Sequence, residues 1–514
     1  MHELHSPQEA ARWLRQRVTG VLRTDSRQVQ PGDGFIAWPG AVTDGRHYLD
    51  KALAQGAAAC LMAAEGSEPW RDLQPTDRLA ALPQLKVLTG LVADAYYEQP
   101  SQRLDVLAVT GTNGKTSTAW WLAQALTHLG RRCAMVGTLG MGEVQTDMHG
   151  LPCVMGPSTG LTTPDAVVFQ GALHDFVQAG VKACAVEASS IGLMEHRLEG
   201  TRVRVALFTN FTQDHLDYHG SMAAYWQAKL RLFDMEGLQA AAVNLDDPQG
   251  VTLVEHVMSL AAIDSAGVWT FGESDQARLQ ARNVQWMPAT ATEAQPSAGL
   301  CFDVVEGAES HRLATPFVGR YNVSNLLGVL ASMRALGIAL SDAVAACQGL
   351  LAVPGRMQTV AVSGQPLVVV DYAHTPDALR QALLALQPLA QARAGHVHCV
   401  IGCGGDRDVG KRPLMAAAAQ DHAQQVVLTS DNPRSEDPQH ILQHMQAGLT
   451  AGSAVQILAD RAQAIAHTVS QAGASDIVLI AGKGHEDYQE VAGVRLPFSD
   501  VQQARAALQA RGAA

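Results

Sequence analysis

The residues best equipped for chemistry lie in Thr110-Gly-Thr-Asn-Gly-Lys-Thr-Ser-Thr118. Gly111, Thr112, Asn113 and Gly114 make a glycine turn between an apolar run and a helix-like segment, and Lys115, Thr116 and Ser117 follow at once. In a strand, loop and helix of this kind, the loop N–H groups and the helix N-terminus point at an anion. Lys115 can then reach terminal phosphates, and the Thr116 hydroxyl can sit on Mg²⁺. Val109 stands where the usual phosphate loop has its first glycine, so this loop is a variant shortened at its front. Further on, Val181-Lys-Ala-Cys-Ala-Val-Glu187 reads as a strand ending on an acid, where a nucleotide-binding sheet places a second Mg²⁺ ligand. The loop from Asn210 to His219, rich in Asp and His, suits metal or phosphate handling and a polar surface equally. Lys229 falls on a helix-like segment, where a lone lysine is ordinarily solvated.

Each of these groups needs a strand end or a helix start behind it. Val106 to Val109 is a short apolar run, as a strand buried on both faces requires, and residues 119–129 read as the helix that follows. Similar apolar runs start at Cys133, Val203 and Ala241. Residues 250–315 are less informative and hold candidate antiparallel strands such as Cys301-Phe-Asp-Val-Val305. Beyond Val353-Pro-Gly-Arg-Met-Gln358, which reads as a linker, the pattern repeats. Leu367-Val-Val-Val-Asp371, His398 to Ile401, Gln425 to Thr429 and Asp476 to Ile480 each run into a polar loop. Strand, polar loop and helix in alternation make a doubly wound parallel sheet with its site at the strand C-termini. His396, His398, Cys399 and Cys403 could tempt a metal assignment, but their alternation favours a strand running into a glycine loop. The expected fold is α/β in three domains: a small N-terminal α/β domain over residues 1–102, a central phosphate-loop domain over 103–352 with a mostly parallel sheet, and a Rossmann-like C-terminal domain over 353–514.

Composition narrows the partners. With 47% hydrophobic and 17% charged residues the chain is globular. A formal net charge of −12 and the lack of Lys/Arg runs argue against nucleic acid as the main ligand. Neither a signal peptide nor a membrane-spanning stretch is expected. The 8 cysteines are scattered, which suits a reducing cytoplasm better than a disulfide framework. A phosphate loop, an acid placed for Mg²⁺ and a separate domain with charged loops indicate ATP chemistry on a second substrate. A transport ATPase should carry coupling motifs, and a nucleotide-gated module has no need of the C-terminal loops, so an ATP-dependent ligase or kinase fits best.

The motifs that carry a family resemblance run the length of the chain. They are Thr110-Gly-Thr-Asn-Gly-Lys-Thr116, Thr162-Thr-Pro164, Glu187 with Ser189-Ser190, Thr209-Asn210 with Asp214-His-Leu-Asp217, Asn322 with Asn325, Gly355-Arg356, Asp371-Tyr-Ala-His-Thr-Pro376, Gly404-Gly-Asp-Arg-Asp408 with Gly410-Lys-Arg412, Asp431-Asn-Pro-Arg434 and Gly482-Lys-Gly-His-Glu486. Through them the chain resembles the Mur ligases, most of all the branch that adds diaminopimelate. The resemblance implies a cytoplasmic, monomeric enzyme of peptidoglycan precursor synthesis. It would use Mg²⁺ and ATP to join meso-2,6-diaminopimelate to UDP-N-acetylmuramoyl-L-alanyl-D-glutamate through an acyl phosphate. A lysine-adding relative and a folylpolyglutamate synthase-like ligase are the alternatives.

By the same resemblance, Lys115 would stabilise the γ-phosphate, while Thr116, Glu187 and His215 would hold Mg²⁺. Lys229 matches a lysine carbamylated by CO₂, whose anionic form can ligate or orient the metal. Asn322 would face the base, and Arg356 and Asp371 would contact ATP. Thr24, Ser26, Ala41, Val42 and Thr43 match positions for the UDP moiety. Thr162, Thr163, Ser189, Glu195 and Arg197 match positions for the muramoyl-peptide. Three residues depart from the pattern: Leu161 where some relatives have Asn, Ile191 where His is frequent, and Glu195 where Gln is frequent. Diaminopimelate would meet Arg407, Asp431, Asn432, Pro433, Arg434, Gly482 and Glu486. Arg434 suits its distal carboxylate bidentately, and Glu486 suits its distal ammonium. Lysine lacks that carboxylate and would leave Arg434 unpaired.

Overall fold

The computed structural model describes the chain except residues 41–42, 71–72, 75, 147–151, 158, 261–262, 288–298, 451–454 and 513–514. Its contacts divide it into two compact units, Met1–Gln280 with Asn325–Ala346, and Ala281–Ser324 with Cys347–Ala514.

The first unit holds two sheets. The N-terminal one is parallel throughout, in the order His2–Glu3, Leu79–Leu82, Ala59–Ala63, Gly34–Ala37, Leu22–Arg23. Apolar residues pack on both of its faces. The helix Pro7–Arg15 covers one face; Ser6 caps it by accepting from Glu9 N–H, and Pro7 supplies its first turn. The second sheet carries the phosphate loop. Val203–Phe208, Asp105–Thr110, Ala183–Glu187 and Cys133–Gly137 lie side by side and parallel, so the strand ends Thr110, Glu187 and Phe208 are brought to one edge. These strands are almost fully buried, which explains their unbroken apolar runs. Gly140–Thr146 and Pro152–Met155 extend the sheet antiparallel.

In the second unit a sheet runs in the order Gln358–Val360, Leu367–Asp371, Ile477–Ala481, Val397–Ile401, Gln425–Leu428, Val455–Ile457. Only Gln358–Val360 is antiparallel to its neighbour. Asp371, Ile401, Leu428 and Ala481 therefore end at one edge, where the polar loops begin. Gly299–Glu306 and Glu309–Thr315 form the expected antiparallel pair. His398 lies within its strand and pairs with Asp476 at 3.0 Å. Among the described residues no helix is long and apolar enough to cross a membrane.

Candidate active site

The phosphate loop is shaped by two glycines that only glycine can supply. Gly111 and Gly114 have φ of +145° and +87°. A Cβ on Gly111 would lie 1.9 Å from Thr209 Oγ1, and one on Gly114 would lie 2.3 Å from Asn325 Oδ1. The next strand end braces the loop. Thr112 N–H donates to Asn210 O at 2.8 Å, and Asn113 N–H to Asn210 Oδ1 at 2.9 Å. Those two amides are thus engaged. The helix Lys115–His128 starts earlier than its apolar pattern indicates, and no side chain caps its first N–H groups. The uncapped N-terminus is what an anion would meet. Lys115 Nζ lies back over the loop, donating to Gly111 O and Thr112 O, each at 2.8 Å.

Glu187 sits beside this helix start. Its Oε2 accepts from Thr116 Oγ1 at 2.8 Å, and its Oε1 accepts from Thr138 N–H at 2.8 Å. Gly137 leaves room for the carboxylate, since a Cβ there would fall 2.1 Å from Glu187 Oε1. Thr138 was not singled out in the sequence, and only the crossing from strand to strand reveals it. From Glu187 a hydrogen-bonded path leads to the expected peptide-binding residues. Thr163 Oγ1 donates to Glu187 O at 2.6 Å and lies 2.9 Å from Ser189 Oγ, while Arg197 donates to Thr163 O at 2.7 Å. Thr138 Oγ1 donates to Thr162 Oγ1 at 3.2 Å. Asp165 caps the helix Ala166–Gln178, and burial raises its carboxyl pKa, opposed by Val168 and Val167 N–H and by the nearby Thr24. Ser26 is buried in the same N-terminal sheet region, and Thr43 is exposed beside Tyr48. Ala41 and Val42 lie outside the described residues. Glu195 is held from two sides, by Tyr218 Oη at 2.6 Å and Lys86 Nζ at 2.7 Å. Leu161 is exposed and Ile191 half-buried.

Lys229 is not the solvated lysine its helix suggests; it is 1% exposed. Its Nζ stands 4.3 Å from the Tyr225 ring centroid and has no hydrogen-bond acceptor among the described residues. Burial, with the Lys115 charge adding to it, holds the Lys229 ammonium well below its usual range, against the pull of Asp214. Tyr225 is the hub here. Its hydroxyl lies 3.2 Å from Thr112 Oγ1, and its ring is near Phe211, His219 and His215. His215 is half-buried and adopts a left-handed φ of +50°, with its N–H on Asp214 Oδ1 at 2.8 Å. A non-glycine residue in that region is costly and clusters at functional sites. Among the described residues, no three His, Cys, Asp or Glu side chains form a metal cluster. A cation beside Glu187 would take one carboxylate and the Thr116 hydroxyl, a hard-oxygen set suited to Mg²⁺ completed by phosphate and water.

In the second unit, Asp371 is fixed by Met357 N–H at 2.7 Å and Ala373 N–H at 2.9 Å; burial raises its carboxyl pKa, with Arg356 opposing. Arg356 lies 4.7 Å over the Tyr372 ring, and its buried Nε has no hydrogen-bond partner among the described residues. Gly355 must be glycine, because a Cβ there would meet His485 N at 2.0 Å. Asn322 is buried and donates to Val318 O at 2.7 Å.

Asp431, Asn432, Pro433 and Arg434 follow the strand Gln425–Leu428 and meet the loop after Ile477–Ala481. Asp431 faces Gly482, where a Cβ would lie 2.5 Å from Asp431 Oδ2. Asn432 Nδ2 donates to Glu486 Oε2 at 2.7 Å. Arg434 has a left-handed φ of +53° and donates to Gly405 O at 2.7 Å, while Arg407 is exposed beside the same Gly404-Gly405 turn. Lys483 lies in the Gly482-Lys-Gly-His-Glu486 motif, whose pattern assigns it no role. It is fully buried and bonded to both Asn432 and Glu486.

Family models match three parts of the chain: the Mur ligase family catalytic domain over residues 19–92, the Mur ligase middle domain over 109–333, and the Mur ligase glutamate ligase domain over 355–484. The chain is similar to the UDP-N-acetylmuramoyl-L-alanyl-D-glutamate–2,6-diaminopimelate ligase of Acidovorax sp. (strain JS42), at 56% identity over 519 residues, covering 100% of this chain and 99% of that protein. The protein of that name in Janthinobacterium sp. (strain Marseille) is 46% identical, covering 95% of this chain and 94% of its own. A solved structure titled as that same ligase is 35% identical with a TM-score of 0.65, covering 96% of this chain and 95% of that one.

Proposed function

The chain belongs to the Mur ligase family, and on that footing we propose that it is an ATP-dependent amide ligase of peptidoglycan precursor synthesis. It joins meso-2,6-diaminopimelate to the D-glutamyl γ-carboxylate of UDP-N-acetylmuramoyl-L-alanyl-D-glutamate. The observation that carries this reading lies within one compact unit. There the phosphate loop, the Thr116–Glu187 pair and the buried Lys229 connect through Thr163 and Ser189 to Arg197.

The γ-carboxylate attacks the γ-phosphorus of ATP, ADP leaves, and an acyl phosphate forms. The neutral amine of diaminopimelate then adds to the acyl carbon, loses a proton, and phosphate departs. Bringing two anions together is mainly a problem of charge neutralisation. Lys115 moves from its loop carbonyls onto the γ-phosphate, and the N-terminus of Lys115–His128 supplies N–H groups. Thr116 and Glu187 are the residues that would hold Mg²⁺, with His215 offered from its turn for a second ion. When bound there, Mg²⁺ would supply positive charge that offsets the phosphate charge. Arg197, Ser189 and Thr163 orient the peptide, while Thr24 and Ser26 serve the uridine end. Asn322, Arg356 and Asp371 are assigned to ATP.

Lys229 is proposed as a carbamate. Its amine adds CO₂ and releases one proton, giving an anion. Burial favours the neutral amine that this reaction needs. The working form is taken to be a monomer, and a reducing cytoplasm is taken as its setting, which suits eight free cysteines. Residues 1–102, 103–352 and 353–514 are taken as its uridine, ATP and amino-acid domains.

The test is ADP release with Mg²⁺, ATP and the UDP-linked dipeptide, adding diaminopimelate or L-lysine in parallel. Turnover with diaminopimelate and little with lysine is expected. Turnover with lysine alone would overturn the specificity, and none with either, in folded protein that binds ATP, would overturn the reaction.

A further inference from the structure

Lys483 has 0% side-chain exposure, yet it lies between two groups assigned to the amino-acid substrate. Its Nζ donates to Glu486 Oε2 at 2.9 Å and to Asn432 Oδ1 at 3.0 Å. Asn432 Nδ2 donates to the same Glu486 oxygen at 2.7 Å, and Asn432 Oδ1 also accepts from Glu490 N–H at 2.9 Å. Asn432 is thereby locked as a brace, and one oxygen of Glu486 is already in use. Two more cations flank Gly404: a Cβ there would lie 2.9 Å from Arg434 Nη1 and 3.7 Å from Arg407 Cγ. The acids on the same loops are Asp406, Asp408, Asp431, Glu436, Glu486 and Asp487; Asp406 holds Ser435 and Glu436 holds Arg412, and it is Glu486 that Lys483 and Asn432 hold.

Resting on the diaminopimelate reading, we propose that Lys483 is a specificity-determining residue that makes a distal ammonium alone a poor ligand. The charge at the far end of the amino acid decides the outcome. That end is cationic in L-lysine, zwitterionic in diaminopimelate and anionic in 2-aminopimelate. A fixed ammonium inside the Asn432–Glu486 brace offsets much of the Glu486 charge that lysine would rely on. It costs a zwitterion little, because the carboxylate of that zwitterion gains what its ammonium loses. Arg434 rewards the right substrate, and Lys483 penalises the wrong one.

The experiment compares kcat/KM for these three amino acids in the wild type, Lys483→Met and Lys483→Gln. Gln keeps a donor for Glu486 without the charge, so it isolates the electrostatic part and stands in if the Met variant does not fold. In both variants lysine should gain on diaminopimelate by about tenfold, and 2-aminopimelate should lose ground by a similar factor. An equal fall for all three amino acids, or unchanged ratios, would mean a structural peg and overturn the proposal. Wild-type turnover of diaminopimelate is the separate check on the parent reading, and a wild type that prefers lysine would overturn both.

Discussion

Lys229 in the first unit is 1% exposed and meets a tyrosine ring in place of an acceptor. Arg461 in the second unit is equally enclosed, and both Asp500 oxygens hold it at 2.7 Å. Arg412, also buried, is clamped by Glu436 at 2.8 and 2.9 Å, and Lys483 by Glu486. A buried cation with a good partner is scaffolding, because removing either member strands the other. A buried amine without one is costly to keep charged, and its place beside the phosphate loop suits the carbamate proposed for it.

That contrast can be broken by substitution. Lys229→Met should cut turnover by about a thousandfold, roughly 4 kcal/mol of transition-state stabilisation. Its melting temperature should stay level or rise, since an unpaired buried amine is removed. Steady-state ADP release and calorimetry on the same preparation check both. Asp500→Asn should do the opposite and cost about 3–5 kcal/mol of stability, read by denaturant unfolding, because Arg461 is left buried and uncompensated.

Glu436→Gln should cost about 2 kcal/mol by the same logic, softened by the partial exposure of Glu436. The wild-type pair also has a pH signature. The hydrogen bond with Arg412 lowers the Glu436 carboxyl from 4.5 to about 2. Its stabilisation is fully present above about pH 4.5 and is lost as pH falls through 2, so the Gln variant should lack that acid-side decline. The smallest effect belongs to Tyr225→Phe. The ring under Lys229 remains, and only the 3.2 Å contact with Thr112 is lost, so about 1 kcal/mol of stability and a few-fold in rate are expected.

How much of this was readable in advance depends on sequence distance. The buried strands announce themselves as apolar runs, as in Leu367-Val-Val-Val, and the loops that follow carry their own motifs. The helix starts at Lys115, four residues before its apolar pattern does, because Lys-Thr-Ser-Thr has no apolar periodicity. The partners that give the site its chemistry were not legible. Thr138 meets Glu187 across 49 positions, Tyr225 meets Thr112 across 113, and Lys483 meets Asn432 across 51. Sequence spacing carries no signal for such contacts, so Lys229 looked solvated until the fold enclosed it. The left-handed backbone at Arg434 is equally hidden, since arginine does not advertise it; histidine favours that region more than most residues, but the type alone does not single out His215.

The most direct test of why Lys229 is left uncompensated is a ¹³C NMR spectrum of enzyme equilibrated with ¹³C-bicarbonate. One slowly exchanging carbamate carbon is expected in the wild type and none in Lys229→Met. Fully active wild type with no carbamate signal would contradict the account.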